Sequence, residues 1–206
     1  MIKWALIPVK RFEAGKSRLR EVFTMHELVL LNLSLFQNVF YRLKDSQQCE
    51  RILVVSRESA ALEWVKANGG EALLEDGEES LNAALRQGLA WIAAQDPGSV
   101  LILPTDLPLL TENDVVMLCA HLPKDPGMLI VPDRTQTGTN TLFLTEPNLL
   151  SPQFGPGSFQ AHCLQAEQLH LHQTVYLNPH IQQDIDTPED LALIQEKFLL
   201  TTSCAN

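Results

Sequence analysis

The sequence has 206 residues, of which 45% are hydrophobic and 19% charged, a balance typical of one globular domain rather than of a disordered chain. A net charge of −10 argues against general nucleic-acid binding, and no apolar run reaches the roughly 18 residues that a membrane-spanning helix needs. The four cysteines are scattered and the N-terminus lacks a signal-peptide cleavage region, so we expect a cytoplasmic protein with reduced thiols.

Apolar runs and helical periodicities alternate along the chain. Strands are predicted at 4–7, 52–55, 72–74, 100–103, 128–131, 141–144 and 174–177. Helices are predicted to begin at a Thr24–Glu27 capping box, before Leu62, at Ser80, at Thr111, near Ser158 and at Thr187-Pro188. This alternation predicts an α/β fold, a Rossmann-like mixed and mostly parallel sheet with helices on both faces. We expect one domain over 1–200 and a frayed tail over 201–206.

A basic loop follows the first strand. Six basic residues against one glutamate give the first twenty residues a charge of +5, whereas the remainder carries −15. Ligands of such sheets bind at the carboxyl ends of the strands, so the segment from Pro8 to Leu19 is predicted to hold an anion such as a phosphate chain. It matches neither a P-loop nor a dinucleotide-binding glycine motif, and a solvated charged loop is the alternative interpretation.

Two acidic motifs also stand at predicted strand ends. Asp106 comes directly after the strand at 100–103, where a carboxylate is able to hold Mg²⁺ together with substrate phosphates. Asp184 and Asp186 lie on the same side of an extended segment because side chains alternate along it. A turn or a helix cap is the alternative role for each, but the two motifs together favour a metal site.

Two segments are rich in small residues that let a backbone approach an anion. One is Gly138-Thr139-Asn140, which follows Pro132-Asp133-Arg134, and the other is the stretch from Phe154 to Ser158 ahead of a helix. A simple helix entry with Ser158 as N-cap is the alternative for the second. His170 and His172 have no third ligand near them in the sequence and are interpreted as surface residues.

In this order, these segments resemble the 2-phospho-L-lactate guanylyltransferase family, which serves the biosynthesis of coenzyme F-420. The matching segments extend from Ile7 to Leu191 and are 8–10, 16–19, 81–82, 106–109, 132–134, 138–140, 154–158 with His162, and 184–188. Each is short, and the ordered set is the specific signal.

The resemblance implies a GT-A-type nucleotidyltransferase that depends on Mg²⁺ and joins GMP from GTP to 2-phospho-L-lactate, phosphoenolpyruvate or 3-phosphoglycerate. It implies metal ligation by Asp106 and Asp184, with Asp186 as the alternative second ligand, and catalytic roles for these aspartates with Lys10 and Lys16. The residues implied around the acceptor are Lys10, Thr139, Gly155 and Ser158. Those implied around the nucleotide are Pro8, Lys16, Arg18, Ser56 and Asn82.

The sequence departs from the family pattern at two places. Thr135-Gln136-Thr137 stands where relatives often have a further glycine, and Thr105 replaces a smaller residue, which leaves the acceptor's identity open. The alternatives are another GT-A nucleotidyltransferase, of the molybdenum-cofactor or sugar-phosphate type, and a non-catalytic nucleotide-binding module. Apolar helix stripes suit a core and a homodimer interface equally, so the oligomeric state is also open.

Overall fold

The computed structural model describes residues 1–194, so the predicted tail at 201–206 and the domain boundary at 200 lie outside the described residues. The strands are β1 (Ile2–Val9), β2 (Cys49–Ser56), β3 (Glu71–Leu74), β4 (Val100–Ile102), β5 (Gly127–Pro132), β6 (Thr139–Leu144) and β7 (His172–Val175). The helices are α1 (Met25–Asp45), α2 (Ser59–Ala67), α3 (Leu81–Gln95), α4 (Glu112–Cys119), α5 (Ser158–Gln168) and α6 (188–194). Each predicted strand and helix is therefore present, although β7 begins and ends two residues before the predicted 174–177.

The strands form one mixed sheet in the order β3-β2-β1-β4-β6-β5-β7. β6 is antiparallel to β4 and β5, whereas the other neighbouring strands pair in parallel. The chain moves outward from β1 in both directions, which creates a switch point between β1 and β4, where ligands of such sheets bind. Because β6 is reversed, its first residue Thr139 lies at the same edge as the carboxyl ends of the parallel strands.

Alternating side chains along the strands build a core on each face of the sheet. Ala5 and Ile7 of β1 pack with α1, α2 and α4, whereas Trp4 and Leu6 pack with α3 and α5. The predicted cover of helices on both faces is thus confirmed. Within residues 1–194, no helix is long and apolar enough to cross a membrane.

The polar helix starts form as the sequence predicts. Thr24 and Thr111 each accept a hydrogen bond from the N–H three residues later in a capping box, and Ser80 caps α3 by accepting from Ala83. Thr187 and Asp190 make the same reciprocal contacts at the start of α6. These caps satisfy N–H groups that the helices leave free, and they fix where each helix begins.

The predicted loop through Phe23 differs from the structure because it contains a 3₁₀ helix, Ser17–Glu21. Leu19 within it is fully buried against a small apolar cluster that includes Leu28 of α1, Ile185 and Ile194. A five-residue segment is too short to show a helical periodicity in the sequence. The burial of Leu19 holds this 3₁₀ helix in place. The cluster anchors the basic loop and the Asp184–Asp186 segment to the same side of the domain.

Candidate active site

Three adjoining cavities run along the carboxyl edge of the sheet. The first, of about 290 Å³, lies at the ends of β1, β2 and β3, and the second, of about 160 Å³, lies at the switch point between β1 and β4. The third, of about 480 Å³, lies beside the start of β6 and the start of α5. Leu81 lines all three, and Asp106 lines the second and third, so the cavities form one continuous groove.

Three aspartates and one lysine meet where the second and third cavities join. Lys16 Nζ donates to the carbonyl oxygen of Ile185 at 2.5 Å and lies 3.4 Å from Asp186 Oδ1 and 3.7 Å from Asp106 Oδ2. The Ile185 N–H donates to the carbonyl oxygen of Asp106, which brings the two acidic segments together. Burial, followed by the negative charges of Asp106 and Asp186, raises the pKa of Asp184 to about 7. A cation would relieve this excess of negative charge.

The predicted metal ligands suit a hard cation that also binds substrate. Asp106, Asp184 and Asp186 all line the third cavity. Among the side chains of residues 1–194, no three carboxylates, imidazoles or thiolates converge closely enough to hold a metal ion by themselves. Mg²⁺ commonly takes one or two carboxylates and completes its shell with water and substrate phosphates. The arrangement therefore fits Mg²⁺ that arrives with a nucleotide, and the ligand set stays a prediction.

The basic residues of the first loop are distributed along the groove. Lys10 and Arg11 line the first and second cavities, and Lys16 lines the second. Pro8 also lines both, as predicted for a residue beside the nucleotide. Arg18 lines the third cavity. Lys10, predicted beside the acceptor, therefore shares its cavities with Pro8, whereas Arg18, predicted at the triphosphate, shares the third cavity with Thr139. Both roles stay predictions.

Asp133 organises the loop between β5 and β6. Its carboxylate accepts hydrogen bonds from the Thr137 and Gly138 N–H groups, both at 2.9 Å, and from the Thr135 hydroxyl at 3.0 Å. Burial alone would raise the pKa of Asp133, but these hydrogen bonds outweigh it and lower the pKa. A Cβ at position 138 would lie 2.7 Å from Asp133 Oδ2, so a larger residue there would push this carboxylate out of its place in the loop. Gln136 has a φ of +57°, a left-handed conformation that glycine adopts more readily.

The buried ring of His162 fixes the direction of a hydrogen bond to Thr139. The Gln153 N–H donates to His162 Nε2 at 2.9 Å, and burial lowers the pKa of His162 to about 4, so the neutral ring carries its proton on Nδ1. Nδ1 lies 3.1 Å from Thr139 Oγ1. Since that oxygen accepts from the ring, the Thr139 hydroxyl is left to donate, and Thr139 lines the third cavity.

The glycine-rich turn before α5 exposes a helix start to the third cavity. Gly155 has a φ of +130°, and Gly157, with a φ of +74°, is the N-cap of α5. Ser158 is therefore the first helical residue, and the alternative that made it the N-cap is wrong. Its side chain is buried and its Oγ has no hydrogen-bond partner among the described residues. The free Ser158 hydroxyl at a helix start suits an anion, whereas the N–H groups of Ser158 and Phe159 already donate to the carbonyl oxygens of Gly155 and Thr137.

The structure gives two predicted guanosine contacts an internal role. The Ser56 hydroxyl is fully buried, donates to the carbonyl oxygen of Val9 at 2.7 Å and accepts from the Glu58 N–H at 2.9 Å. The side-chain amide of Asn82 binds both backbone polar atoms of Phe154, at 2.8 and 2.9 Å. These side chains hold loops in place, and their predicted contact with the nucleoside stays a prediction.

The sequence reasoning missed three charged residues of the first cavity, namely Arg57, Glu75 and Glu79. Arg57 follows β2 and Glu75 follows β3 directly. The rule that pointed to Asp106, a charged side chain at the end of a strand, could therefore have found both of them.

The comparisons with known proteins agree with this geometry. A sequence model of the family described as guanylyl transferase CofC-like matches residues 3–197. The chain belongs to this family. A phosphoenolpyruvate guanylyltransferase from Rubrobacter xylanophilus is 36% identical over 195 residues, which cover 95% of this chain and 94% of that protein. A 2-phospho-L-lactate guanylyltransferase from Methanothermobacter thermautotrophicus is 33% identical over 190 residues, which cover 92% and 82%.

Solved structures share the fold at low sequence identity. A nucleotidyl transferase from Methanothermobacter superposes with a TM-score of 0.68 at 14% identity, over 97% of this chain and 99% of that one. A Desulfovibrio desulfuricans protein described as a nucleotide-diphospho-sugar transferase gives 0.71 at 16% identity, over 94% and 87%. The expected GT-A-type fold is confirmed. Family membership makes the chain a guanylyltransferase, rather than a nucleotidyltransferase of the molybdenum-cofactor or sugar-phosphate type or a non-catalytic nucleotide-binding module.

Proposed function

We propose that this guanylyltransferase transfers GMP from GTP to a small phosphorylated three-carbon acid and releases pyrophosphate, as a step in coenzyme F-420 biosynthesis. The acceptor is 2-phospho-L-lactate, phosphoenolpyruvate or 3-phosphoglycerate, since family relatives carry the names of enzymes for the first two. The observation that carries the proposal is the continuous groove, in which carboxylates and a lysine lie between two cavities.

Each cavity suits one part of the reaction. The first cavity has an apolar wall of Pro8, Leu81 and Ala84, which suits a nucleobase. The second contains Lys10 and Lys16, which suit a phosphate chain. The third, with Thr139, Gly155 and Ser158, suits the acceptor. The α-phosphorus of a nucleotide that fills the first two cavities would then lie near Asp106, which borders the second and third.

The reaction needs positioning and charge neutralisation more than acid–base catalysis. An oxygen of the acceptor phosphate attacks the α-phosphorus of GTP, a new P–O bond forms, and the bond to the departing pyrophosphate breaks. The attacking phosphate is already an anion, so no general base is required. Mg²⁺ held by Asp106 and Asp184, with Asp186 as the alternative second ligand, would supply neutralisation at the reacting phosphates.

The chain's own residues supply the remaining charge and orientation. Lys16 reaches the carboxylates from the second cavity and is therefore placed to offset charge on the departing pyrophosphate. The Thr139 hydroxyl is left to donate at the third cavity, and the free Ser158 hydroxyl at the start of α5 is a second donor for an acceptor anion. A cytoplasmic setting is supported by the free cysteines Cys49, Cys119 and Cys163.

The aspartate assignment is tested by removing one charge at a time. We expect Asp106→Asn and Asp184→Asn to lower GTP-dependent pyrophosphate release by about 100-fold or more while the protein keeps its thermal unfolding temperature, because charge stabilisation at the reacting phosphates is lost. Asp125→Asn, at an exposed site, is the matched control. Near-normal release by the first two variants, or release that persists with EDTA, would overturn the proposal.

A further inference from the structure

The first cavity contains a carboxylate that the fold leaves without a hydrogen-bond partner. The Glu75 side chain lines this cavity and is only 9% exposed. Its Oε1 is buried 3.3 Å from Arg57 Nε, and neither atom has a hydrogen-bond partner among the described residues. A buried ion pair that completes no hydrogen bond costs free energy, so its retention in the wall of a cavity points to a ligand that supplies the missing hydrogen bonds.

Neighbouring contacts fix where this carboxylate lies. The backbone N–H of Glu75 donates to the carbonyl oxygen of Ser56, which aligns the end of β3 with the end of β2. Arg57 Nη2 donates to the carbonyl oxygen of Gly77 at 2.5 Å and so ties the following turn to the same strand end. Both partners of the Arg57–Glu75 pair are therefore held in the wall of the first cavity rather than in solvent.

The chemistry of a carboxylate selects among the nucleobases. An ionised carboxylate only accepts, through two oxygens side by side, and it pairs best with two parallel donors. Guanine presents two adjacent donors, N1–H and the N2 amino group, beside the acceptor O6. Adenine and cytosine place a ring-nitrogen acceptor next to one amino group, and uracil places its one N–H between two carbonyl oxygens. Guanine is thus the base whose edge satisfies both oxygens.

We propose that Glu75 is the residue that selects guanine, by accepting hydrogen bonds from N1–H and the N2 amino group of GTP. The guanidinium of Arg57, which also lines this cavity, carries donors suited to O6. The apolar residues of the cavity, such as Pro8 and Ala84, cover the faces of the base. The assignment rests on the proposed function, because it takes GTP as the nucleotide of this groove.

Calorimetric binding of GTP and ITP with Mg²⁺, without acceptor, tests the assignment. ITP lacks only the N2 amino group, so we expect the wild-type protein to bind it about tenfold more weakly than GTP, because a buried acceptor loses a partner. In Glu75→Gln the two affinities should agree within about twofold, since the carboxamide presents a single acceptor. Glu78→Gln, an exposed substitution in the same loop, should keep the wild-type ratio.

The outcomes separate this proposal from the proposed function. Equal affinity of the wild-type protein for GTP and ITP would overturn the role of Glu75, and so would an unchanged ratio in Glu75→Gln. Glu79→Gln checks the other carboxylate of the cavity, and a lost preference there alone would also overturn it. Where Glu75→Gln does not fold, equal wild-type affinities for GTP and ITP would still overturn the assignment. A GTP preference without any GMP transfer would contradict the proposed reaction alone.

Discussion

The ammonium group of Lys16 lies 3.7 Å from a carboxylate oxygen of Asp106, across the switch point between β1 and β4. The Lys16 side chain is only 6% exposed, and its backbone is left-handed with a φ of +56°. A non-glycine residue in that conformation costs roughly 1–2 kcal/mol, which the contacts of its side chain offset. Lys16 thus supplies positive charge to an acidic cluster that is otherwise suited to a metal ion.

Removing this charge should make the cluster a better metal site and a poorer catalyst. We expect Lys16→Gln to bind Mn²⁺, as a probe for Mg²⁺, about tenfold more tightly without nucleotide, because one competing cation is absent. Turnover should fall by about 100-fold, since charge on the departing pyrophosphate is no longer offset. Calorimetry and pyrophosphate release measure the two effects, and Lys66→Gln, at an exposed position, is the control. Unchanged metal affinity would show that the ammonium does not compete for this site.

The Thr139 hydroxyl should matter for the acceptor and not for GTP. We expect Thr139→Val to raise the acceptor KM about tenfold, because a hydrogen bond to a charged group is lost, while the KM for GTP is unchanged. Thr141→Val is a matched control on the same strand, since its buried Oγ1 has no hydrogen-bond partner among the described residues. It should leave both KM values unchanged. Equal effects of the two variants would contradict the direction assigned to the Thr139 hydroxyl.

The neutral state of His162 predicts a pH dependence of stability. Its pKa is about 4 in the folded protein and 6.5 ordinarily, so the unfolded chain binds more protons between these values. The stabilisation that comes from keeping His162 neutral should be fully present above pH 6.5. The free energy of unfolding should then fall by about 3 kcal/mol as the pH is lowered to 4. Urea unfolding across this range measures it.

A neutral substitute for the ring identifies the residue responsible. His162→Gln preserves an acceptor for Gln153 and a donor for Thr139, so it should remove most of this slope without abolishing the fold. His172→Gln, at an exposed histidine, should keep the wild-type slope. A slope that survives in His162→Gln would show that another group takes up the proton.

Much of the fold was predictable because its signals are local. The apolar run before Pro8 predicts β1, and the Thr24–Glu27 and Thr111–Asp114 pairs predict helix starts that form as expected. The reversed strand β6 was not predicted. Its direction depends on which strands pair across the sheet, and the sequence from Thr139 to Leu144 would look the same in either direction.

The candidate site was predictable only to the level of its segments. The rule that charged residues follow strands led to Asp106, but the internal contacts of Ser56 and Asn82 depend on backbone atoms elsewhere in the chain. Asn82, for example, binds Phe154, which is 72 residues away. The buried state of Glu75 likewise depends on how the ends of β2 and β3 align. Long-range placement of this kind has no counterpart in motif spacing.

Asp114 should be the most costly carboxylate to remove outside the groove. It accepts from Thr111 Oγ1 at 2.6 Å, Asn178 Nδ2 at 2.9 Å and His180 Nδ1 at 2.9 Å, and so ties α4 to the segment leading to Asp184. Asp114→Ala should lower the free energy of unfolding by about 2–3 kcal/mol, since three donors, of which Asn178 is buried, lose a charged acceptor. Denaturant unfolding measures this.

Glu112→Ala is the matched control two residues earlier. Its ion pair with Arg42 is exposed, and its loss should cost less than about 1 kcal/mol. For Asp114 itself, burial alone would raise the pKa, but hydrogen bonds from Thr111, Asn178 and His180 lower the pKa overall. The contribution of Asp114 to the free energy of unfolding is therefore present above its ordinary pKa near 4 and is lost as the pH falls below that value. Equal costs for the two variants would contradict this account.

Transfer of GMP to a phosphorylated acid is tested most directly by incubating the protein with GTP, Mg²⁺ and each of 2-phospho-L-lactate, phosphoenolpyruvate and 3-phosphoglycerate in turn. Pyrophosphate release and the mass of the product are measured together. The account predicts a product with the mass of the acid plus GMP less water, one pyrophosphate for each product, and no reaction when EDTA is added. Binding of GTP without product from any of the three acids would contradict it.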